Sequence, residues 1–215
     1  NANKPLLIDS DIKFDGIDDY MNFTAPNLFK NVSTAWIFSV FKKNGLDSTD
    51  LERPVICWTT NTTGFRAGLT AGNTAAGNKN KICFGGRRLD SDAYDGVNSS
   101  FEVTPNQDYI VCGVIDYNNR KIELFVDGYS VASKTNAFTS SGNTSNTSSL
   151  QARFGSNGTT PPNRFGDISV KQVVVNNESL SASDRQKLEG WAAHKYGLTD
   201  NLPPDHPYKT LVPTL

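Results

Sequence analysis

The residues best suited to chemistry lie between Phe65 and Asn98, in a stretch that mixes aromatic rings with arginines and carboxylates. An aromatic face packs against the C–H side of a sugar ring, and guanidinium, carboxylate and amide groups bond its hydroxyls. The pattern predicts a glycan or partner surface made by Phe65, Arg66, Arg87, Arg88, Asp90, Asp92, Tyr94, Asp95 and Asn98. The alternative is that Phe65 belongs to the core and that Arg88 and Asp90 form an ordinary surface ion pair.

Neither the carboxylates nor the histidines indicate catalysis. Retaining hydrolysis of a glycosidic bond needs two carboxyl groups about 5 Å apart, which one strand supplies from residues two apart. No glutamate is followed by aspartate two residues later; the glutamates are Glu52, Glu102, Glu123, Glu178 and Glu189. His194 and His206 both lie near the chain end, where the sequence predicts no partner for either. The sequence therefore predicts a protein that is not an enzyme.

Charge and composition exclude several classes of partner. With a net charge of −1 and no block of lysine or arginine, the chain is not expected to bind nucleic acid or an anionic membrane surface. No apolar run approaches the roughly 18 residues of a membrane span, so membrane insertion is not expected. Cys57, Cys83 and Cys112 each lie in an apolar run, which predicts buried free thiols rather than disulfides or a zinc site. No motif requires a cofactor.

The chain that must position these residues is predicted to be almost entirely β. Short β-branched or alternating runs are separated by turn residues, and Asp127-Gly128 predicts a two-residue hairpin turn. The predicted strands are Asp11–Phe14, Tyr20–Thr24, Ala35–Lys42, Pro54–Thr59, Phe65–Thr70, Lys81–Phe84, Phe101–Val103, Tyr109–Asp116, Lys121–Val126, Tyr129–Thr135, Leu150–Phe154 and Asp167–Val175. Because no helices alternate with them, these strands favour an antiparallel sandwich or jelly roll.

Two polar segments are predicted to be loops. The first is Arg87–Asn98, which carries most of the candidate binding residues. The second is Thr139–Ser149, which is almost pure serine, threonine, asparagine and glycine. Such a composition favours turns over packing, so the second segment is expected to be mobile or only loosely packed.

One helix is predicted, over residues 181–196. Ser181 and Asp184 have the spacing of a capping box, and Gly197 stands where a left-handed residue ends a helix. The inward apolar stripe is predicted to be Leu188, Trp191 and Ala192, flanked by the stem of Lys195. A proline-rich tail, residues 197–215, follows. Together the helix and tail are predicted to close a single domain of residues 1–215, which is expected to be part of a larger chain.

Several pieces of the chain resemble LamG-like, concanavalin A-like jelly-roll domains. They are the opening strand pair at Phe14–Tyr20, the central motif at Tyr109–Asp116 and Lys121–Gly128, the last strand at Phe165–Val175, and the ending at Leu180–Tyr208. That ending resembles the close of such modules in bacteriophage tail and virion proteins and in some large exported bacterial proteins. The resemblance implies an all-β, concanavalin A-like antiparallel jelly-roll sandwich with one C-terminal helix and a proline-rich tail.

The resemblance also implies a function. It favours a noncatalytic phage virion module, at a tail-fibre or tailspike tip or as a head decoration, that binds host-surface carbohydrate. Its partners would be a host glycan and other virion proteins, in a homo-oligomer such as a trimer. Two alternatives stay open: a structural or cement virion protein without a ligand, and a carbohydrate-binding module of an exported protein on the surface of a bacterium.

A structural calcium ion is implied by the same resemblance. The family often holds Ca²⁺ with oxygen atoms from its first and last strands, which here places Asp15 and Asp167 as ligands. Asp18 and Asp19 crowd the same first turn. The alternative is an Asx turn, in which these aspartates accept hydrogen bonds from backbone N–H groups.

Overall fold

The computed structural model describes residues 4–23, 27–59, 65–148, 151–157 and 162–214. The strands of these residues are β1 Leu6–Ile8, β2 Asp11–Asp15, β3 Met21–Phe23, β4 Thr34–Lys43, β5 Pro54–Thr59, β6 Phe65–Ala71, β7 Lys81–Gly86, β8 Asp95–Glu102, β9 Asp108–Asp116, β10 Lys121–Val126, β11 Tyr129–Lys134, β12 Gln151–Phe154 and β13 Asp167–Asn176. They are followed by helix α1 Ala182–Tyr196 and a 3₁₀ turn at Thr199–Asn201.

The strands form two antiparallel sheets. The seven-stranded sheet has the order β1-β2-β13-β4-β9-β10-β11, and the six-stranded sheet has the order β3-β12-β5-β6-β7-β8. The prediction of an all-β sandwich closed by one C-terminal helix is confirmed. The Asp127-Gly128 hairpin is also confirmed, because Val126 pairs with Tyr129 across it and both turn residues have positive φ.

The core lies between the two sheets. Every second residue of the central strands enters it, including Ile37 of β4, Trp58 of β5 and Phe84 of β7. The sheets approach so closely that a Cβ on Gly113 of β9 would lie 2.2 Å from Phe84 Cγ. The three cysteines are buried and free, as predicted.

Most strands begin and end near their predicted residues, but β8 does not. The sequence predicts a strand only at Phe101–Val103, whereas β8 spans Asp95–Glu102. Asp95 and Asn98 therefore lie on a strand and not in the predicted loop. The strand β1 was not predicted, and the predicted ends at Thr24 and Leu150 lie outside the described residues. No helix among the described residues has the length and apolar character that crossing a membrane would need.

Helix α1 covers the outer face of the seven-stranded sheet. Its caps are as predicted: Ser181 Oγ accepts a hydrogen bond from Asp184 N at 3.0 Å, and Gly197 has φ 70°. The predicted inward stripe is only partly right. Ala192 is buried against Trp36 and Phe38 of β4, together with Ala193.

Trp191, in contrast, is half-buried. Its ring lies 4.6 Å from the ammonium nitrogen of the exposed Lys195. The buried face of the helix consists of Glu189, Gly190, Ala192 and Ala193. These residues are mostly small, which lets the helix backbone lie close to the sheet, whose own aromatic side chains fill the gap.

Both histidines of the C-terminal region have partners, contrary to the sequence prediction. His194 Nε2 lies 3.0 Å from the Tyr208 carbonyl oxygen. His206 Nε2 lies 3.3 Å from Glu189 Oε2, and both side chains are almost fully buried. Arg185 holds the other oxygen of Glu189 at 2.5 Å. These partners join the tail to the helix, and the sequence pattern of the helix alone does not show them.

Candidate functional site

A row of small residues crosses the outer face of the six-stranded sheet. Cys57, Gly68, Gly85 and Gly96 are successive register partners on β5, β6, β7 and β8. Their chain neighbours, such as Trp58, point into the core, so the row itself faces outward. Three adjacent glycines leave a shallow groove whose floor is strand backbone, and the rings of Phe65 and Tyr94 occupy it. We refer to Gly68, Gly85 and Gly96 as the glycine row.

Two aromatic rings lie on the glycine row. A Cβ on Gly68 would lie 2.7 Å from Phe65 Cδ2, and one on Gly85 would lie 2.8 Å from the Tyr94 hydroxyl oxygen. The two rings stand nearly perpendicular, with centroids 6.3 Å apart. Phe65 is 8% exposed but lies on this outer face and not in the core. The ring of Tyr94 is 42% exposed and forms the open part of the groove.

The Tyr94 hydroxyl has no hydrogen-bond partner among the described residues. Although the ring is open, its hydroxyl end lies against the backbone of β7 and β8, where water is scarce. This loss of hydration raises the pKa of Tyr94, and the nearby negative charges of Glu52 and Asp95 raise it further. The hydroxyl therefore remains protonated and can donate a hydrogen bond to a ligand.

Glu52 and Arg164 form an ion pair at the side of this groove. Arg164 Nη1 donates to Glu52 Oε2 at 2.7 Å, with the Arg164 side chain 47% exposed and that of Glu52 only 13% exposed. Glu52 Oε1 is buried and has no hydrogen-bond partner. Burial raises the pKa of Glu52, while the charge of Arg164 opposes that rise. A buried carboxylate oxygen without a donor is costly to the folded state.

Polar side chains continue the face in the next row of the sheet. Thr70, Cys83 and Asn98 are register partners there. The Asn98 side-chain oxygen accepts a hydrogen bond from Asn73 Nδ2 at 2.9 Å. Burial raises the pKa of the Cys83 thiol to about 11, so it stays neutral. The structure thus brings Phe65, Tyr94 and Asn98, three of the predicted binding residues, to one face.

Arg66 and Arg88, two other predicted binding residues, serve the fold instead. Arg66 is fully buried at a bulge of β6, where its guanidinium donates to the Arg88 carbonyl oxygen at 2.9 Å and to Asp90 Oδ1 at 2.7 Å. Arg88 is also buried and donates to the Asn143 carbonyl oxygen and to Ser140 Oγ. The alternative of a surface ion pair between Arg88 and Asp90 is therefore wrong, because Asp90 pairs with Arg66 instead.

Three more of the predicted residues also make intramolecular contacts. Arg87 is nearly buried and donates to the Asp90 carbonyl oxygen at 3.4 Å. Asp92 Oδ2 accepts from Leu89 N at 3.0 Å. Asp95 Oδ1 pairs with the Lys134 ammonium group at 2.5 Å. The types of these side chains suit sugar binding, but their intramolecular contacts stabilise the loop that carries them, which the sequence alone does not show.

The serine- and threonine-rich segment is packed more firmly than its composition predicts. In residues 139–148 the Thr144 side chain is buried, and its hydroxyl donates to the Phe29 carbonyl oxygen and accepts from Val32 N. Asn143 Nδ2 donates to the Asn31 carbonyl oxygen at 3.1 Å. The expectation of loose packing is wrong for this part because its hydroxyls and amides bond the backbone of distant loops. Ser149 lies outside the described residues.

Sequence reasoning missed Glu52, Arg164 and the glycine row. Glu52 and Arg164 are 112 residues apart, so no local pattern links them. The glycines did carry a signal: each occurs at an outward position of a strand, where a bulky side chain would be tolerated by the core. An outward glycine in a strand commonly marks a place where something approaches the backbone closely.

The first turn bears on the calcium prediction. Asp15 Oδ1 accepts hydrogen bonds from the backbone N–H groups of Ile17, Asp18 and Asp19, which is the Asx-turn alternative. Burial opposes these bonds, but together they lower the pKa of Asp15. Burial raises the pKa of Asp19, and the charges of Asp15 and Asp18 add to that rise.

The donor set of this turn suits a hard cation and includes Asp15, one of the two predicted ligands. The carboxylates of Asp15, Asp18 and Asp19 lie within 4.8 Å of one another. Asp167 pairs with Asp15 in the β13–β2 register but is not part of that group, and its Oδ1 accepts from Asn44 Nδ2 at 3.0 Å. Calcium binding at this turn stays a prediction.

No family model matches the chain, and no curated protein matches its sequence. Solved structures, in contrast, match the chain in fold. The native heptameric SAP-like pentraxin from Limulus polyphemus matches with a TM-score of 0.62 and 12% identity, over 85% of this chain and 83% of that one. The Ruminococcus gnavus IT-sialidase CBM40 bound to alpha2,3 sialyllactose matches with a TM-score of 0.59 and 14% identity, over 86% and 96%.

A botulinum neurotoxin type C structure also matches. Its cell entry is described as dependent on two ganglioside molecules, and the match has a TM-score of 0.61 and 14% identity, over 86% of this chain and 44% of that one. These structural neighbours are jelly-roll lectin and carbohydrate-binding domains. They confirm the concanavalin A-like jelly-roll fold that the sequence predicts.

Proposed function

We propose that the chain is a noncatalytic carbohydrate-binding module whose site is the groove over the glycine row. The observation that carries the proposal is the half-open ring of Tyr94, seated on a floor of strand backbone with a hydroxyl that has no partner among the described residues. An exposed aromatic face takes the C–H side of a sugar, and the hydroxyl beside it takes a sugar oxygen.

The groups around Tyr94 complement the ring. The partly exposed guanidinium of Arg164, held by Glu52, offers N–H donors to a ligand. A binding groove with a few convergent polar groups around an aromatic surface is the usual form of a small-molecule site. The named ligands of two structural neighbours, sialyllactose and gangliosides, support the sugar class in general.

A noncatalytic role is proposed because the floor of the groove lacks an acid. The residues in register across β5 to β8 are Cys57 and the glycine row, none of which can act as nucleophile and acid pair for glycoside hydrolysis. Burial raises the pKa of Glu52, the charge of Arg164 opposes that rise, and no second carboxylate is in register beside it on β5 to β8 in the row of Cys57 and the glycines.

We also propose a place for the module: a bacteriophage virion, at a tail-fibre or tailspike tip or as a head decoration, contacting a host-surface glycan. The support is the resemblance of the Leu180–Tyr208 ending, whose helix caps are as predicted. The alternative, a module of an exported protein on a bacterial surface, shares the fold and the site. A structural cement role would instead bury Tyr94 against a neighbouring chain.

Repetition would strengthen a weak sugar site. Linked sites raise avidity by about 10²–10⁴ without new contacts, so a homo-oligomer such as a trimer is proposed for the assembled protein. Light scattering of the chain together with its neighbouring domains measures this directly. A monomer in that experiment would contradict the oligomer but leave the sugar site intact.

Glycan-array binding of Tyr94→Ala tests the site. Loss of the ring is expected to weaken binding about tenfold or more, because base or sugar stacking on one aromatic ring contributes roughly 1–3 kcal/mol. The matched control is Tyr129→Ala, which removes a tyrosine that is 48% exposed at the edge of the other sheet. Equal binding by both variants and the parent would remove this groove as the site. Tyr94→Phe then separates the contribution of the ring from that of the hydroxyl.

A further inference from the structure

We infer that strand β1 is an interface at which two copies of this chain pair edge to edge. The inference goes beyond the proposed function, since it names a contact between copies that the sugar site does not need. Strand β1 lies at the end of the seven-stranded sheet, and its outer edge pairs with no strand among the described residues. All three of its side chains are large, apolar and exposed: Leu6 by 62%, Leu7 by 77% and Ile8 by 44%.

The other edge of the same sheet is protected, whereas β1 is not. Strand β11 ends at Lys134, whose ammonium group pairs with Asp95 of β8 and so ties the two sheets together. Proteins commonly blunt an edge strand with charged side chains or a covering element, because a bare apolar edge associates with other chains. Strand β1 carries no charged side chain, and its successive side chains point to opposite faces. A strand added at its edge would contact both faces at once.

The turn between β1 and β2 determines which backbone groups of β1 are free. Asp9 and Ser10 both have positive φ, and Ile8 pairs with Asp11 across them, which is the form of a two-residue type I′ hairpin. In such a hairpin the two flanking residues exchange hydrogen bonds, so the N–H and C=O of the preceding residue, Leu7, point away from β2. A further strand can therefore bond β1 at Leu7.

A second copy of β1 fits this edge in one antiparallel register. Leu7 lies opposite Leu7 of the second copy, because only positions whose backbone groups point outward can exchange hydrogen bonds. Leu6 then lies opposite Ile8 of the second copy, and Ile8 opposite its Leu6, so every cross-strand pair is apolar. Strand β1 is thus complementary to itself, as an isologous two-fold contact requires.

The charges beside β1 favour the same direction of pairing. Lys4 precedes the strand, Asp9 follows it, and both are exposed. Antiparallel pairing brings Lys4 of each copy beside the turn that carries Asp9 of the other, whereas parallel pairing would place like charges together. Pro5 has no N–H to donate, which keeps the paired segment short. The expected assembly is therefore a weak two-fold dimer that closes at two copies.

This dimer would leave the proposed sugar site accessible. Tyr94 immediately precedes β8, and β8 adjoins β11 through the pair of Asp95 with Lys134. Strand β11 and strand β1 are the two ends of the seven-stranded sheet. Each dimer would therefore carry two open sites, which serves the avidity proposed for the assembled protein.

Sedimentation velocity of the folded chain at increasing concentration tests the interface. A short contact binds weakly, so dimers are expected to form between about 10 μM and 1 mM. Leu7→Lys is expected to weaken dimerisation at least about tenfold, because it places two ammonium groups face to face across the two-fold axis. Leu211→Lys is the matched control, since Leu211 is an exposed leucine of the tail, and it is expected to dimerise like the wild type.

Each other outcome has a distinct meaning. A wild type that stays monomeric over this range overturns the inference and leaves the proposed sugar site standing. Equal weakening by Leu7→Lys and Leu211→Lys overturns it too, because association would then depend on exposed apolar surface in general. A trimer that persists in Leu7→Lys overturns the β1 contact but leaves the proposed oligomer standing.

Lys4→Glu tests the direction of pairing. The change places a carboxylate beside Asp9 of the second copy, so the dissociation constant of the dimer is expected to rise about threefold or more at low salt. Lys187→Glu, on helix α1, makes the same change of charge away from β1 and is expected to have no effect. Dimerisation of Lys4→Glu at wild-type strength would contradict the antiparallel register.

Discussion

At the scale of single residues, chemically suitable side chains divide into those that face a ligand and those that build the loop carrying it. Tyr94 is proposed for the first kind, and Arg66 and Arg88 belong to the second. The sequence cannot separate them, because the same guanidinium serves either purpose. Burial and partners decide, and both depend on residues far along the chain.

Arg66→Ala is expected to destabilise the fold by about 3 kcal/mol, because the buried guanidinium joins Asp90 to the Arg88 carbonyl oxygen and its loss strands both. Urea unfolding measures the effect. Lys134→Ala is the control, since its pair with Asp95 is largely exposed and is expected to contribute less than about 1 kcal/mol. Equal losses in the two variants would contradict the structural role of Arg66.

Asp127→Asn is expected to stabilise the protein at neutral pH. Burial raises the pKa of Asp127 to about 6, with a smaller contribution from the charge of Glu189, whereas the unfolded chain has its ordinary value near 4. The folded state therefore binds the extra proton, and stability falls as the pH rises from about 4 to 6. Asparagine keeps the oxygen that accepts from Ile110 N and tolerates the positive φ of this turn.

The increase in the free energy of unfolding of Asp127→Asn is expected to reach at most about 3 kcal/mol at pH 7.5. It is expected to vanish at about pH 4, where Asp127 of the wild type is protonated. Thermal unfolding at both pH values measures it. Asp116→Asn, at the turn before β10, is the control. A gain of the same size at both pH values would show that charge burial is not the cause.

At the scale of elements, helix α1 packs by close approach of its backbone to the tail and the sheet, rather than through a large apolar stripe. A Cβ on Gly190 would lie 2.3 Å from Tyr208 Cβ, so the tail packs directly on the helix backbone. The Trp191 side chain, which the sequence places in the stripe, is only half-buried. Replacing it with alanine is therefore expected to cost less than removal of a buried tryptophan.

Gly190→Ala is expected to destabilise the protein by about 2 kcal/mol, although alanine is the better helix former. The added methyl must displace Tyr208, and with it the tail that carries His206. Thermal unfolding compares it with Ser183→Ala, at an exposed position of the same helix, which is expected to be neutral or stabilising. A stabilised Gly190→Ala would show that the tail is not docked there.

Chelation tests the turn between β2 and β3. Removal of calcium with EDTA is expected to lower the melting temperature, because the three crowded carboxylates of Asp15, Asp18 and Asp19 would lose their counter-ion, and added calcium is expected to restore it. Asp18→Asn is expected to reduce the calcium response. An unchanged melting temperature at saturating chelator would leave the Asx turn as the whole explanation.

At the scale of the whole molecule, the fold could be predicted from sequence and the site only in part. Alternating runs, the Asp127-Gly128 turn and the caps of α1 are local signals, and each predicted its element. The groove is assembled from β6, β7, β8 and two distant loops, so its members share no spacing. Tyr94 and Phe65 were found by type, whereas Glu52 and Arg164 required the folded neighbours.

The two outer faces of the sandwich differ in what covers them. Helix α1 and the tail cover the seven-stranded sheet through Ala192, Ala193 and Leu202. On the six-stranded sheet, Gly68 and Gly85 lie buried beneath the rings of Phe65 and Tyr94, and Tyr94 is exposed to solvent. The proposed ligand-binding role is therefore assigned to the second face, while the first face is covered by the helix and tail.

The glycine row also limits how this protein can change during evolution. Because the floor is made by main-chain atoms, a side chain added at Gly68 or Gly85 would fill the groove instead of reshaping it. Substitutions that change ligand preference are then expected at the rim, at Glu52, Tyr94 and Arg164, because these side chains are not part of the backbone floor. Side-chain variation is therefore sterically possible at the rim and strained at the floor.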